Sequence, residues 1–476
     1  MTGIRNRMDQ FHYFEEKMHD AEIPPLTIAT FKRYYRQLTA GETGMIPESD
    51  LVPLDALPDL DELGGYCSRG EAEIHRAVVI KLNGGLGTSM GMERAKSLLE
   101  IKPGYSFLDI IARQLLRQRR ETDAPIPLML MDSETTRNDS LEALRTYEAL
   151  PVEGLPLDFL QNRVPKVRQD DLMPVRVPED PDLEWNPPGH GDIYNALVIS
   201  GCLDRLLALN FKYAFISNAD NLGAELDPVI LGYMAHRNMS FLMEVARRTE
   251  ADRKGGHLAR HRDGRLLLRE IAQCDEADTP YFFDIDRHRY FNTNSIWIDL
   301  EQLKTILEQN DYFLGLPLIR NAKTVNPRDP DSTPVYQIET AMGAAISKFP
   351  AAGAVCVPRR RFLPVKTTSD LIGLWSDAYV LTDDWRIELH PERNSGVITV
   401  LDGRYYKLID AMKTRFPSGA PSLLKCDRWE IRGDVRFGAG VTIRGTALIE
   451  NRGSHPAVVP DGMTLTGRYM LTGDGH

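Results

Sequence analysis

The sequence runs to 476 residues, 42% hydrophobic and 26% charged, which is enough apolar material for a large core and a length that suits two or three domains. A formal net charge of -11 excludes the basic face that nucleic-acid binding needs, so a phosphate site has to be local. The first residues mix both charge signs without an apolar run, and the five cysteines are odd in number and never in a C-x-x-C pair; these features predict a cytoplasmic chain with no membrane partner, no zinc motif and no disulfide framework, its thiols buried and structural.

Between residues 7 and 40, Met8, Phe11, Phe14 and Met18, then Phe31, Tyr34 and Leu38, recur at helical spacing and predict a helical N-terminal extension docked on a larger body. Residues 46–70 combine Pro47, Pro53 and Pro58 with several acids, the composition of a connecting loop. From about residue 75 the runs 77–82, 127–132, 213–220 and 241–246 are almost continuously apolar, as strands of a parallel sheet buried on both faces would be. Segments of helical period at 106–120, 140–149 and 192–209 lie between them, and this alternation predicts an open α/β sheet whose ligand sits beyond the carboxyl ends of the strands. From about residue 425 the pattern changes. Ile431, Phe437, Ile443 and Ile449 recur every six residues, with Val435, Val441 and Ala447 in step beside them. A six-residue aliphatic repeat predicts a parallel β-helix, with a few antiparallel strands as the alternative. The exposed ends of so short a stack favour self-association.

Four segments carry chemistry. Directly after the first strand, Leu82-Asn83-Gly84-Gly85-Leu86-Gly87 lets the backbone approach a ligand closely and turn its N–H groups toward phosphate oxygens; it is neither a Walker loop nor a dinucleotide fingerprint. Lys96 follows closely enough to reach back to a triphosphate. Gly189-His190-Gly191-Asp192 forms a turn at a helix mouth, where Asp192 suits an N-cap or first-turn acid and His190 a hydrogen bond to sugar or phosphate. Asn218-Ala219-Asp220 closes an apolar strand, and a carboxylate there is well placed to hold a hydrated Mg2+. Last, Arg359, Arg360 and Arg361 lead into Lys366, a basic cluster suited to neutralising a departing pyrophosphate.

These segments, with Lys254-Gly255-Gly256, Asn292-Thr293-Asn294, Asn321-Ala322-Lys323 and Gln337-Ile338-Glu339-Thr340 in the same order, resemble the eukaryotic-type UTP:glucose-1-phosphate uridylyltransferases, the UDP-glucose pyrophosphorylases. The resemblance implies a Rossmann-like, GT-A-like nucleotidyltransferase domain with a mixed sheet flanked by helices, followed by a C-terminal left-handed parallel β-helix that often builds homo-oligomers. The corresponding division is 1–70 extension and linker, 71–385 catalytic domain and 386–476 β-helix domain.

By the same resemblance, Leu82, Asn83, Gly84 and Gly85 receive the nucleotide, Lys96 and Lys366 act on its phosphates, and Gln161 and Gly189 read the uracil. His190 and Asn218 touch the sugar phosphate, Asn292 faces the hexose, Lys323 holds phosphate and Asp220 holds Mg2+. UTP, glucose 1-phosphate, UDP-glucose and pyrophosphate are the implied small-molecule partners. Galactose or N-acetylglucosamine 1-phosphate as substrate, and a non-catalytic UDP-sugar-binding scaffold, are the alternatives. One departure is visible: Arg94-Ala95 precedes Lys96 where the family has Gly-Pro, which removes a fixed φ from the loop.

Overall fold

The computed structural model describes residues 10–472, so Met8 lies outside the described residues. Its centre is a ten-stranded mixed sheet. Tyr213–Asn218, Ala77–Leu82, Leu128–Asp132 and Asp158–Leu160 lie side by side and parallel, in register. Alternate residues of these strands feed two cores, as strict period-2 geometry requires. Val79, Leu128, Leu130 and Phe215 face one core, which contains residues of the helices Phe107–Thr122 and Pro228–His236. Val78, Ile80, Met129 and Ile216 face the other, shared with Ile193–Ile199, Cys202–Ala208 and Leu300–Gln309.

The sheet is not parallel throughout. Tyr290–Asp299 runs antiparallel to Tyr213–Asn218 and separates it from Phe241–Arg247, which in turn pairs in parallel with Ala352–Cys356. The run 241–246 is therefore a strand, but lies across an antiparallel neighbour, whose Asn and Thr residues broke the apolar pattern that marked the others. Two helix expectations shift as well. The segment predicted at 140–149 is Glu134–Leu144, started by a capping box on Ser133. The segment 192–209 is two helices, interrupted at Gly201 with φ +70°.

The N-terminal helices Phe11–Asp20 and Pro25–Thr39 bury Phe14, Phe31 and Tyr35 against Val164, Val167 and Ile338, so they dock as expected from their spacing. At the other end, Ser422–Arg432, Thr442–Asn451 and Thr464–Leu471 pair in parallel, and Ile431 is in register with Ile449, three six-residue repeats later. Parallel pairing rules out antiparallel strands there, and Ile431, Phe437, Ile443 and Ile449 are all buried. Of the cysteines, Cys202, Cys356 and Cys426 are buried, whereas Cys67 and Cys274 are partly exposed, because they sit at the start of a helix and in a surface turn.

Candidate active site

Four parallel strands in register bring their carboxyl ends to one edge, and the chain leaves that edge through Asn83, Asp132, Gln161 and Asn218. An open cleft of about 780 Å³ lies there, lined by Leu82, Asn83, Gly84 and Gly85 from the first loop and by Lys96. Gln161, Gly189 and His190 line it from one side, and Asn218 and Asp220 from the other. Residues 138 positions apart in sequence thus share one cavity because adjacent strands end together, not because their own segments are related.

The loop geometry accounts for the glycines. A Cβ on Gly84 would stand 2.5 Å from the Gln161 carboxamide, and Gly189, at φ +77°, presses against the Thr340 carbonyl, where a Cβ would come within 2.4 Å. Without the family's proline, Ala95 still adopts φ -52°. An antiparallel bridge from Leu86 to Ala95 and the Lys96 N–H to the Gly85 carbonyl (3.1 Å) hold it there. The loop therefore reaches a proline-compatible conformation through hydrogen bonds rather than a ring.

Lys96 Nζ lies 2.5 Å from Asp220 Oδ2, both side chains about one-fifth exposed (20% and 21%), so the carboxylate's charge is balanced within the cleft. His190 Nδ1 accepts the Met342 backbone N–H at 3.0 Å, which leaves the ring proton on Nε2 as a donor. Burial lowers the His190 pKa to about 4, so the ring is neutral at physiological pH. Asp192 stands at the N-cap of Ile193–Ile199 and is the acid of the preceding 3-10 turn, as expected, but its side chain makes no capping hydrogen bond. Its carboxylate instead accepts the Asn162 N–H (2.6 Å) and Nδ2 (2.9 Å), and Thr27 of the N-terminal helix donates to Asn162 Oδ1 at 2.8 Å. The helical extension is thereby tied to the residue next to Gln161.

Three predicted site residues lie outside this cavity wall. Asn292 Nδ2 donates to Asn294 Oδ1 at 2.8 Å, and its Oδ1 accepts the Asn294 N–H at 3.0 Å. Burial raises the Glu270 pKa, against the opposing influence of Asn292 and Lys366. Lys323 stands close enough to Glu339 to act on its charge, and the Glu339 side chain abuts Gly189. The three clustered arginines are not among the residues lining the cavity: Arg359 pairs with Asp252 (3.0 Å), Arg360 with Asp61 (3.0 Å) and buried Arg361 with Glu244 (2.7 Å).

Glu270, Glu339 and Asp132 were not singled out from the sequence. Asp132 was open to the same argument as Asp220, since it too ends an apolar parallel strand. It is fully buried, and Asn83 Nδ2 donates to its Oδ1 (2.6 Å) and to Ser140 Oγ (2.7 Å), which holds the first residue of the glycine loop rigid. Its Oδ2 has no partner among the described residues, and burial raises the pKa to about 7. An acid that holds its proton in the fold but ionises near about 3.9 when unfolded stabilises fully below that value, and the contribution is lost as pH rises through about 7. Asp132→Asn is therefore expected to flatten the fall of stability over that window. Urea midpoints near both ends, for wild type and variant, check this, and parallel pH slopes would contradict it.

Comparison with known proteins places this geometry. Residues 28–444 match the family model described as UTP--glucose-1-phosphate uridylyltransferase. The Saccharomyces cerevisiae UTP--glucose-1-phosphate uridylyltransferase is 39% identical over 404 residues, covering 85% of this chain and 79% of that protein. The crystal structure of UDP-glucose phosphorylase from Trypanosoma brucei superposes with a TM-score of 0.89 at 45% identity, over 98% of this chain and 99% of that one. A variant of UDP-glucose pyrophosphorylase from Leishmania major, in complex with UDP-glucose, gives 0.90 at 43% identity, over 97% and 99%. With fold, sequence and family model agreeing over nearly the whole length, the chain belongs to the UTP--glucose-1-phosphate uridylyltransferase family of nucleotide-transferring enzymes.

Proposed function

We propose that the chain joins UTP and glucose 1-phosphate reversibly, forming UDP-glucose and pyrophosphate in the cleft at the strand ends. The observation that carries this reading is the meeting of a glycine loop, a lysine and a strand-end carboxylate in one cavity, in a chain of this family. Leu82, Asn83, Gly84 and Gly85 hold the nucleotide, and Gln161 and Gly189 read the uracil. His190 donates through Nε2 to the sugar phosphate beside Asn218, Asn292 and Glu270 face the hexose, and Lys323 and Lys366 hold phosphate groups.

Asp220 suits Mg2+, which takes one or two protein carboxylates and fills its octahedron with water and phosphate oxygens. Among the described residues no group of three or more metal-ligating side chains converges, which accords with a cation that arrives with the triphosphate rather than one held in a protein cage. When bound, Mg2+ supplies charge neutralisation on the phosphates. Lys96, paired with Asp220 in the cleft, would hold phosphate oxygens of the nucleotide. The attacking phosphate oxygen is already anionic near neutral pH, so no general base is needed. The protein's work is to hold two repelling anions in line and to neutralise charge as pyrophosphate leaves.

The wider reading follows the same lines. The parallel C-terminal strands support a left-handed β-helix, with 386–476 as its domain, 71–385 as a GT-A-like catalytic domain and 1–70 as extension and linker. Homo-oligomers form through the β-helix, and the enzyme works in the cytoplasm. Among the described residues no helix is long and apolar enough to cross a membrane.

The test is pyrophosphate release from UTP and Mg2+ with a panel of sugar 1-phosphates, and the reverse reaction with several UDP-sugars. Glucose 1-phosphate is expected to give the highest kcat/KM. Faster turnover of galactose or N-acetylglucosamine 1-phosphate would reassign the hexose. Calorimetric UDP-glucose binding without pyrophosphate exchange would leave only a scaffold.

A further inference from the structure

Asp220 and Lys366 lie on segments 146 residues apart, and something has to set their separation. Upstream of Lys366, Arg361 is anchored hard. Its Nε and Nη2 clamp the two oxygens of fully buried Glu244 at 2.8 and 2.7 Å, and Nη2 also reaches the Glu225 carbonyl at 2.8 Å. Trp297 Nε1 completes the Glu244 shell at 2.9 Å. Downstream, Asp370 Oδ2 accepts the backbone N–H groups of Lys366 (2.9 Å) and Thr367 (2.8 Å), which caps the helix Thr368–Trp375. Phe362 between these anchors packs edge-on against Phe291, the neighbour of Asn292, at 4.9 Å.

The stretch between the anchors is joined to the metal-side loop through Asn221. This residue follows Asp220 directly and is only 2% exposed. Its Nδ2 donates to the Arg361 carbonyl at 3.1 Å, its Oδ1 accepts the Leu363 N–H at 2.9 Å, and its backbone forms an isolated antiparallel bridge with Pro364. One carboxamide thus spans the donor and acceptor of the facing segment, a pairing that neither Asp nor Leu at the same position reproduces.

We propose that Asn221 is a positioning residue for the transfer step, setting the reach of Lys366 against Asp220 so that both act on the same polyphosphate. This rests on the roles given above to Asp220 and Lys366. Asn221 itself touches no substrate. Its effect passes through the backbone of 361–366, so it belongs to kcat, where the lysine's reach counts as charge moves onto pyrophosphate, rather than to the ground-state binding of the nucleotide.

The alternative is a purely structural role, because a buried asparagine bonded to backbone groups also stabilises the fold. A cycle with Lys366 separates the two, since residues that act as a unit are not additive. Single-turnover pyrophosphate release is measured for Asn221→Ala, Lys366→Ala and the double variant. Asn221→Asp, isosteric and still able to accept from Leu363, is carried in parallel in case the alanine variant does not fold. Asn451→Ala serves as control: it removes a buried carboxamide that donates to the Asp434 and His455 carbonyls, none of the three residues lining the cleft.

Asn221→Ala or Asn221→Asp is expected to lower kcat about 30-fold with KM for UTP within about threefold, while Asn451→Ala keeps wild-type kcat. On the Lys366→Ala background the Asn221 change is expected to cost less than about twofold. An undiminished cost on that background, an unchanged kcat, or a change confined to KM would each overturn the positioning role. A wild-type kcat in Lys366→Ala itself would instead remove the role given to the lysine, and the two failures are distinguishable.

Discussion

An Asp220→Ala variant is expected to lose about a thousandfold in kcat and to need at least about tenfold more Mg2+ for half its residual activity. The carboxylate ends a buried strand and faces the cleft beside Lys96, so it is the anionic group at the point where the triphosphate would lie. Its removal takes away the cation's protein ligand and leaves Lys96 without its partner. Asp220→Asn keeps the shape and loses the charge, so it is expected to fall nearly as far. The measurement is a Mg2+ titration of pyrophosphate release for wild type and both variants. An unchanged Mg2+ midpoint would show that the cation is held elsewhere.

Lys366→Ala should cost about a hundredfold or more in kcat, with a much smaller change in KM for UTP. Lys366 is exposed, and no ion pair holds its ammonium group among the described residues, whereas Arg359, Arg360 and Arg361 each pair with a carboxylate. In the reverse direction the same variant is expected to raise KM for pyrophosphate. Arginine is not a conservative replacement here, because its planar fork on a differently shaped stem displaces the charge. If Lys366→Ala retained wild-type rates in both directions, the late lysine would have no part in the transfer.

Much of the site's loop chemistry was open to reading along the chain. The glycine loop, His190 and Asp220 announce themselves through short-range features: glycines where the backbone must approach a ligand, and a carboxylate at the end of an apolar run. Asp132 shares that last feature, but its run reads as a strand with or without the acid, and only its burial and the donation from Asn83 show what it does. The arginine cluster shows the opposite case: its separate carboxylate partners, drawn from residues 61, 244 and 252, could not be read from three adjacent cations.

By itself the sequence determined the alternation of strand and helix, the docking face of the N-terminal helices, the six-residue period of the C-terminal strands and the family, because each depends on residues close together in the chain or on motifs in a fixed order. Tertiary structure alone decided the antiparallel strand Tyr290–Asp299 within the sheet, the break at Gly201, the Asn162 partner of Asp192, and the carboxamide bridge from Asn221 to the Lys366 segment. These are pairings between distant segments, and hydrogen bonds of that kind leave no periodicity. They are set by which strand ends meet, and that follows from packing both cores at once.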